Sequence, residues 1–255
     1  MTKTTARRAA ALALLLALPP AARAGKPIPQ PSRGREVEYE SAQALFGRFG
    51  AFEPMARAAE RWQYQDQRGY KNLTLGSYAR VERRLKIGLF DRLQSGARHD
   101  DDWVKDAAGW SWRDTTRRPE NVLILDATPR VLLGGSWVGS VKVRGEHDFF
   151  DGQSLVKVAP ELAWFWMDGL RPRATFFFRF EATFPLNYGE TTVSERWWYL
   201  AALWHARPWL SLGPQVALRD ETWSTSAQYR ALNPGADYKV LYRAWVPGFT
   251  LVARL

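Results

Sequence analysis

The chain has 255 residues, a formal net charge of +10 and no cysteine, which excludes a disulfide framework, a thiolate metal site and a lipid-modified N-terminal cysteine. Basic residues outnumber acidic ones, 36 to 26, but along most of the chain they recur at alternate positions instead of gathering in a patch, unlike a nucleic-acid surface. Beyond the first residues no stretch offers the roughly 18 uninterrupted apolar residues of a membrane helix.

The first residues read as a secretory signal peptide. Lys3, Arg7 and Arg8 make a positive start, Ala9 to Leu18 is an alanine and leucine run, Pro19-Pro20 ends it, and Ala22-Arg23-Ala24 is a small-x-small cleavage site. Cleavage after Ala24 is expected, which makes residues 1–24 the signal. Residues 25–59 read as a separate N-terminal segment. Gly25 to Glu36, with Pro27, Pro29 and Pro31, is an extended leader. From Tyr39 to Ala59 the apolar residues Leu45, Phe46, Phe49, Phe52, Met55 and Ala58 are spaced nearer three to four than two, which predicts a short helix or two. This segment either lies in the periplasm or plugs the interior of the remaining fold.

From about Glu60 a period of two takes over, and side chains of a strand alternate faces with that period. The first strand, Glu60 to Gln67, is weak, with Trp62 and Tyr64 outward. The second places Leu73, Leu75, Ser77, Ala79 and Val81 outward and Thr74, Tyr78 and Arg80 inward. The third places Leu85, Ile87, Leu89 and Leu93 outward and Lys86, Phe90 and Arg92 inward; Asp91 falls on the apolar face and breaks the rule. The fourth has Leu123, Leu125, Ala127, Pro129, Val131 and Leu133 outward against Asp126, Thr128 and Arg130. The fifth has Trp137, Val141 and Val143 outward against Ser140, Lys142, Arg144 and Glu146.

The clearest alternation lies between Ser154 and Phe184. Val156, Val158, Pro160, Leu162, Trp164 and Trp166 share one face; after Asp168-Gly169-Leu170, so do Pro172, Ala174, Phe176, Phe178, Phe180, Ala182 and Phe184. The eighth strand, Glu195 to Ala206, is apolar on both faces. The ninth sets Leu210, Leu212, Pro214, Val216 and Leu218 against Ser211, Gln215, Arg219 and Glu221. The last sets Trp245, Pro247, Phe249, Leu251, Ala253 and Leu255 outward. Read as three-residue hairpin loops, the short connections pair residues of one face: Val81 with Leu85, Leu133 with Trp137, Met167 with Arg171, His205 with Trp209. The remaining connections are longer.

Signal peptide, paired amphipathic strands, short turns alternating with long loops and a last strand at the terminus together resemble bacterial outer-membrane β-barrel proteins. The resemblance covers residues 60–255 and implies an all-β, antiparallel up-and-down transmembrane barrel of about ten strands, with eight or twelve as alternatives. It also implies a place in the bacterial outer membrane, lipid and lipopolysaccharide as surroundings, and assembly by the barrel-assembly machinery. In that class the final strand is the sorting signal and usually ends in Phe or Trp; this chain ends in Leu255.

Three sets of residues are candidates for function. The inward faces carry Arg130, Arg144, Glu146, Glu161, Arg179, Glu181, Arg219 and Glu221, either a filling of ion pairs or the lining of a narrow, arginine-rich pore favouring anions. His99-Asp100-Asp101-Asp102 opens the longest loop; its oxygen donors and imidazole suit a divalent cation such as calcium, against the plainer reading of a solvated acidic loop. Trp103, Trp110 and Trp112 lie further along the same loop, with Arg113, Arg117 and Arg118, as a surface for binding lipopolysaccharide phosphates. If Val143 pairs with Val158, then His147 sits opposite Ser154 on the outward face, about 5 Å apart between Cβ atoms, a base beside a hydroxyl nucleophile. Some outer-membrane lipid A deacylases work from a similar lipid-facing pair. No cofactor motif, phosphate loop or nucleophile elbow appears. Three functions therefore stand open: a non-enzymatic structural barrel or narrow channel, a lipid-modifying hydrolase, and a surface-binding protein acting through the tryptophan-rich loop.

Overall fold

The computed structural model describes residues 35–63, 69–96, 103–106, 109–112, 119–149, 152–187, 193–224 and 239–255. The strands are β1 (Arg35–Phe46), β2 (Phe52–Gln63), β3 (Gly69–Glu82), β4 (Leu85–Gly96), β5 (Trp103–Asp106), β6 (Gly109–Trp112), β7 (Glu120–Gly134), β8 (Trp137–Asp148), β9 (Ser154–Asp168), β10 (Arg171–Pro185), β11 (Glu195–Arg207), β12 (Leu210–Ser224) and β13 (Lys239–Arg254). Eleven of them close into one barrel, neighbour to neighbour in chain order, while β5 and β6 form a separate hairpin within the β4–β7 connection. Closure leaves no unpaired edge. All barrel pairs are antiparallel except the seam, where β1 runs parallel to β13 from Arg35↔Arg243 to Phe46↔Arg254. The tight turns all lie at one end, the turn end; the longer connections lie at the other, the loop end.

The seam corrects two expectations. Residues 39–59 are not helical, and no segment from residue 35 to residue 60 stands apart from the barrel; these residues are β1 and β2, which raises the strand count from ten to eleven. Of the strand expected at Glu60–Gln67, Glu60 to Gln63 is the end of β2, with Trp62 outward and 40% exposed; Tyr64 and the residues to Gln67 lie outside the described residues. The physical reason lies in side-chain size. Inward Ala42, Ala44 and Ala59 face outward Ser41, Gln43, Ala56 and Ala58, so the alternation is real but has almost no hydrophobic amplitude.

Elsewhere the faces obey the alternation. Leu75, Leu89 and Leu125 are outward and exposed, whereas Tyr78, Phe90, Ile124 and Asp126 are inward and buried. Asp91 is outward and exposed between Leu75 and Leu123. The turns are tighter than three residues. Glu82 pairs with Leu85, and the register shifts between Arg80 and Glu82; Gly134 pairs with Trp137, Arg171 with Asp168 and Arg207 with Leu210. In β3–β4 and β7–β8 the bulge restores the expected register. In β9–β10 and β11–β12 the register moves by two residues (Ala174↔Trp166, Trp204↔Leu212), an even step that leaves every side chain on its face.

The outer wall is layered. Near the turn end Trp137 packs on Trp164 with ring centroids 6.2 Å apart, Trp164 on Phe176 at 5.3 Å, and Trp166 on Trp204 at 6.2 Å. Toward the loop end Tyr39 stacks on Trp62 at 6.1 Å and Phe180 packs on Trp198 at 5.5 Å. Between the two aromatic rings lie exposed aliphatics such as Leu75, Leu89, Leu162, Leu200 and Val216. On the strands that carry members of both rings, Phe176 and Phe180 lie on β10 and Trp198 and Trp204 on β11; at ~3.3 Å per residue and ~40° of tilt the ring levels are roughly 10–15 Å apart.

Candidate functional site: the lumen and a histidine–serine pair

The interior is polar along most of its length, and most of its charges are held by named partners. Near the loop end Arg219 is a buried hub. Its Nη1 donates to Glu38 at 2.9 Å and its Nε to Glu195 at 2.8 Å, while its second terminal nitrogen binds Glu221. Trp197 lies under the guanidinium groups of both Arg219 and Arg61, each 5.3 Å from the ring centroid. Trp197 also stacks on Tyr199 at 5.2 Å, and Tyr199 carries Arg179 at 4.3 Å. The aromatic inward face of β11 is thus a bed for arginines, which accounts for a strand apolar on both sides.

At mid-height Arg92 grips Glu146 with two bonds, 3.2 and 2.7 Å, the fork geometry that suits carboxylates. Arg144 and Lys157 flank the same carboxylate at 3.7 and 3.9 Å, and Lys157 lies 4.0 Å from Glu181. Arg144 also donates to Asp126 at 3.2 Å, as does the Tyr78 hydroxyl at 3.3 Å. Gly88 makes that cluster possible. A Cβ there would sit 2.4 Å from the Phe90 ring and 2.8 Å from Asp126 Oδ1, so only glycine lets Tyr78, Phe90 and Asp126 close over β4. Arg179 lies 3.9 Å from Glu161. Nearest the turns, Glu53 takes both Arg80 at 3.0 Å and Lys86 at 2.7 Å. His205 bridges two hydroxyls, Thr175 at 2.8 Å and Ser211 at 2.7 Å.

A cavity of about 1040 Å³ remains, and its wall includes residues from both ends of the barrel: Phe46, Arg254 and Leu255 at the turns, Gln94, Glu120, Asp148 and Ser194 toward the loops. Arg130, Arg144, Glu146, Glu161, Arg179, Glu181 and Glu221 line it, and Arg219 is buried just behind, 3% exposed. Glu38, Glu53, Arg57 and Arg61 belong to the same interior, but hydrophobic spacing conceals them, because it reads as helical through β1 and β2. A different signal reveals them: Glu36, Glu38 and Glu40, then Glu53, Arg57 and Arg61, keep one parity.

On the outer face at the loop end, His147 pairs with Ser154 across β8–β9. The His147 Nδ1 and Ser154 Oγ atoms are 2.8 Å apart. The serine is firmly placed: its backbone N–H donates to Asn187 Oδ1 at 2.7 Å, its carbonyl accepts from the Leu186 N–H at 2.9 Å, and Asn187 Nδ2 donates to the Gly152 carbonyl at 2.8 Å. Phe149 stands edge-on to the imidazole at 5.1 Å. Asp148, the nearest carboxylate in sequence, is buried on the opposite face, where it lines the cavity. The surroundings are apolar, with Leu123, Phe149 and Leu186 all exposed. His99, Asp100, Asp101 and Asp102 lie outside the described residues, and no metal-binding group of three or more His, Asp or Glu occurs among the described ones. In the loop hairpin Trp103 and Trp112 are register partners.

Comparison with known protein families, with curated proteins and with solved structures gave no match. The class of protein is therefore defined by the fold itself: an all-β, closed barrel of eleven strands with an ionic interior.

Proposed function

We propose that this protein is an integral outer-membrane β-barrel and that its lumen is a narrow conduit for small hydrophilic solutes. The observation that carries the membrane reading is the layered outer wall, two aromatic rings bounding an aliphatic band. The ring levels, roughly 10–15 Å apart, fit inside the ~25 Å apolar band of outer-membrane barrels. Most large apolar side chains point out and most ion pairs point in, the reverse of a protein that buries its core away from water. Tryptophan and tyrosine rings suit the headgroup level. On this reading the signal peptide exports the chain, the barrel-assembly machinery inserts it, and lipid and lipopolysaccharide surround it. The conduit reading is supported by a cavity whose wall spans both ends.

The test is insertion and conductance. Folded protein should require detergent or lipid, and brominated lipids should quench its tryptophans. In planar bilayers it should give small, discrete conductance steps. A mature chain that is monodisperse in buffer without detergent would overturn the membrane reading; a folded, inserted barrel without conductance would overturn the conduit alone.

A second reading is favoured by the 2.8 Å contact between His147 and Ser154: hydrolysis of an acyl ester of a membrane lipid at the loop-end rim. Ser154 Oγ would attack the carbonyl while His147 takes its proton and hands it to the departing lipid alkoxide as the ester C–O bond breaks; His147 would then take a proton from water as it attacks the acyl-serine, releasing the fatty acid and returning the proton to Ser154 Oγ. Acyl release from lipopolysaccharide or phospholipid that is lost in Ser154→Ala supports it, and release that survives that substitution sinks it.

A further inference from the structure

The fixed charges of the lumen are unevenly distributed along its axis. In the half nearest the tight turns, Arg57, Arg80, Lys86, Arg130, Lys142 and Arg254 line the cavity, with Arg48 on the adjoining β1–β2 turn. The carboxylates lining that half are Glu53 and the terminus of Leu255, with Glu161, opposite Ser140 and 3.9 Å from Arg179, at its inner boundary. Glu53 is already shared between Arg80 and Lys86. Lys142 donates to the Tyr78 hydroxyl at 3.2 Å and lies 3.9 Å from Asp126, the carboxylate that also holds Arg144. Arg57 and Arg130 have no carboxylate partner among the described residues, and Arg254 rests over the Phe46 ring at 5.8 Å. The turns outside this mouth add Arg83, Arg84, Arg171 and Arg207 against Glu82, with Asp168 bound to Arg173.

We propose that the turn-end half of the lumen is a binding vestibule for small polyvalent oxyanions, solutes carrying two or more phosphate groups. The proposal rests on the conduit reading for its role in passage, but not for binding. Cations held in a narrow channel with low-dielectric walls focus their field on its axis and concentrate counter-ions there. Guanidinium forks match phosphate oxygens in pairs. The cations stand on six strands, β2, β3, β4, β7, β8 and β13, along one continuous arc of the wall, so they converge on a ligand from that side, and one with several charges satisfies more of them than chloride does. At 0.1 M salt the Debye length of ~10 Å leaves this field intact across a narrow lumen; at 1 M it falls to ~3 Å and the preference should fade.

The experiment uses the full barrel in a planar bilayer at 0.1 M NaCl, with inorganic tripolyphosphate added to one side at a time. The orientation of each insertion is read with Leu170→Cys, on the exposed β9–β10 turn, and an impermeant thiol reagent. Current block from the turn side is expected at concentrations at least tenfold below those needed from the loop side. The Lys86→Gln/Arg130→Gln double variant should abolish that difference. Equal block from both sides, or an unchanged double variant, overturns the vestibule. Calorimetric titration of tripolyphosphate into the detergent-folded barrel separates the two ideas. Binding weakened tenfold or more in the double variant, without any conductance, keeps the vestibule and removes the conduit; no binding removes the vestibule whatever the conductance.

Discussion

Glu146 is the residue whose replacement should reveal how the interior is held together. It is buried, it accepts two bonds from Arg92, and it is flanked by Arg144 and Lys157. Of those cations, Arg144 keeps Asp126 and Lys157 keeps Glu181 if Glu146 is lost. Arg92, whose side chain is 13% exposed, loses the carboxylate it grips with both bonds. Removing one partner of a buried pair leaves the other charge uncompensated and typically costs about 3–5 kcal/mol. Glu146→Gln preserves shape and some hydrogen bonding, so a loss at the low end, about 3 kcal/mol, is expected. The Arg92→Met/Glu146→Leu double variant should recover most of it, because no isolated charge remains. The assay is urea unfolding of the barrel from lipid vesicles, followed by tryptophan fluorescence, with wild type, each single variant and the double variant in a double-mutant cycle. A coupling below about 0.5 kcal/mol, the limit for independent sites, would refute the reasoning: the lumen would then be wet enough to screen the pair.

Single features lead to further outcomes. Gly88→Val should prevent the Tyr78–Phe90–Asp126 cluster from closing and cost at least about 2 kcal/mol, within the range for overpacking; wild-type unfolding midpoints would contradict the close approach. Asp91→Leu replaces an exposed charge between Leu75 and Leu123 and should stabilise the barrel in vesicles by about 1–2 kcal/mol, somewhat less than the basic residues would give at mid-bilayer; no gain would argue that water or protein covers that face. Because the chain has no cysteine, Ala42→Cys with Thr250→Cys tests the seam, where those positions are register partners. A cross-link that closes β1 to β13 should form in the folded protein and be absent in urea.

The faces of most strands are legible from sequence because hydrophobic amplitude is large where Trp, Phe and Leu alternate with charge, as in β9 and β10. The His147–Ser154 juxtaposition is legible for the same reason: the register that pairs Val143 with Val158 fixes it. Legibility fails where amplitude vanishes. In β1 and β2 alanines line the inside and Ser41, Gln43, Ala56 and Ala58 the outside, so a few scattered large residues such as Leu45, Phe49 and Phe52 imitate helical spacing. The charge parity of Glu38, Glu40, Glu53, Arg57 and Arg61 carries the information that hydrophobicity does not. The ion-pair network itself is not readable, because partners such as Arg219 and Glu38 are far apart in sequence and meet only when the seam closes.

The parallel seam has a consequence for how the polypeptide is oriented in space. With eleven strands, the strand that starts the wall and the strand that finishes it point the same way, so the two ends of the sheet-forming chain emerge on opposite rims. A reporter fused ahead of Arg35 would be carried on the rim of the long connections, and one fused after Leu255 on the rim of the tight turns. Reporters at both ends of an even-numbered wall share a rim; on the proposed membrane reading, a protease confined to one side should strip only one of the two on this chain.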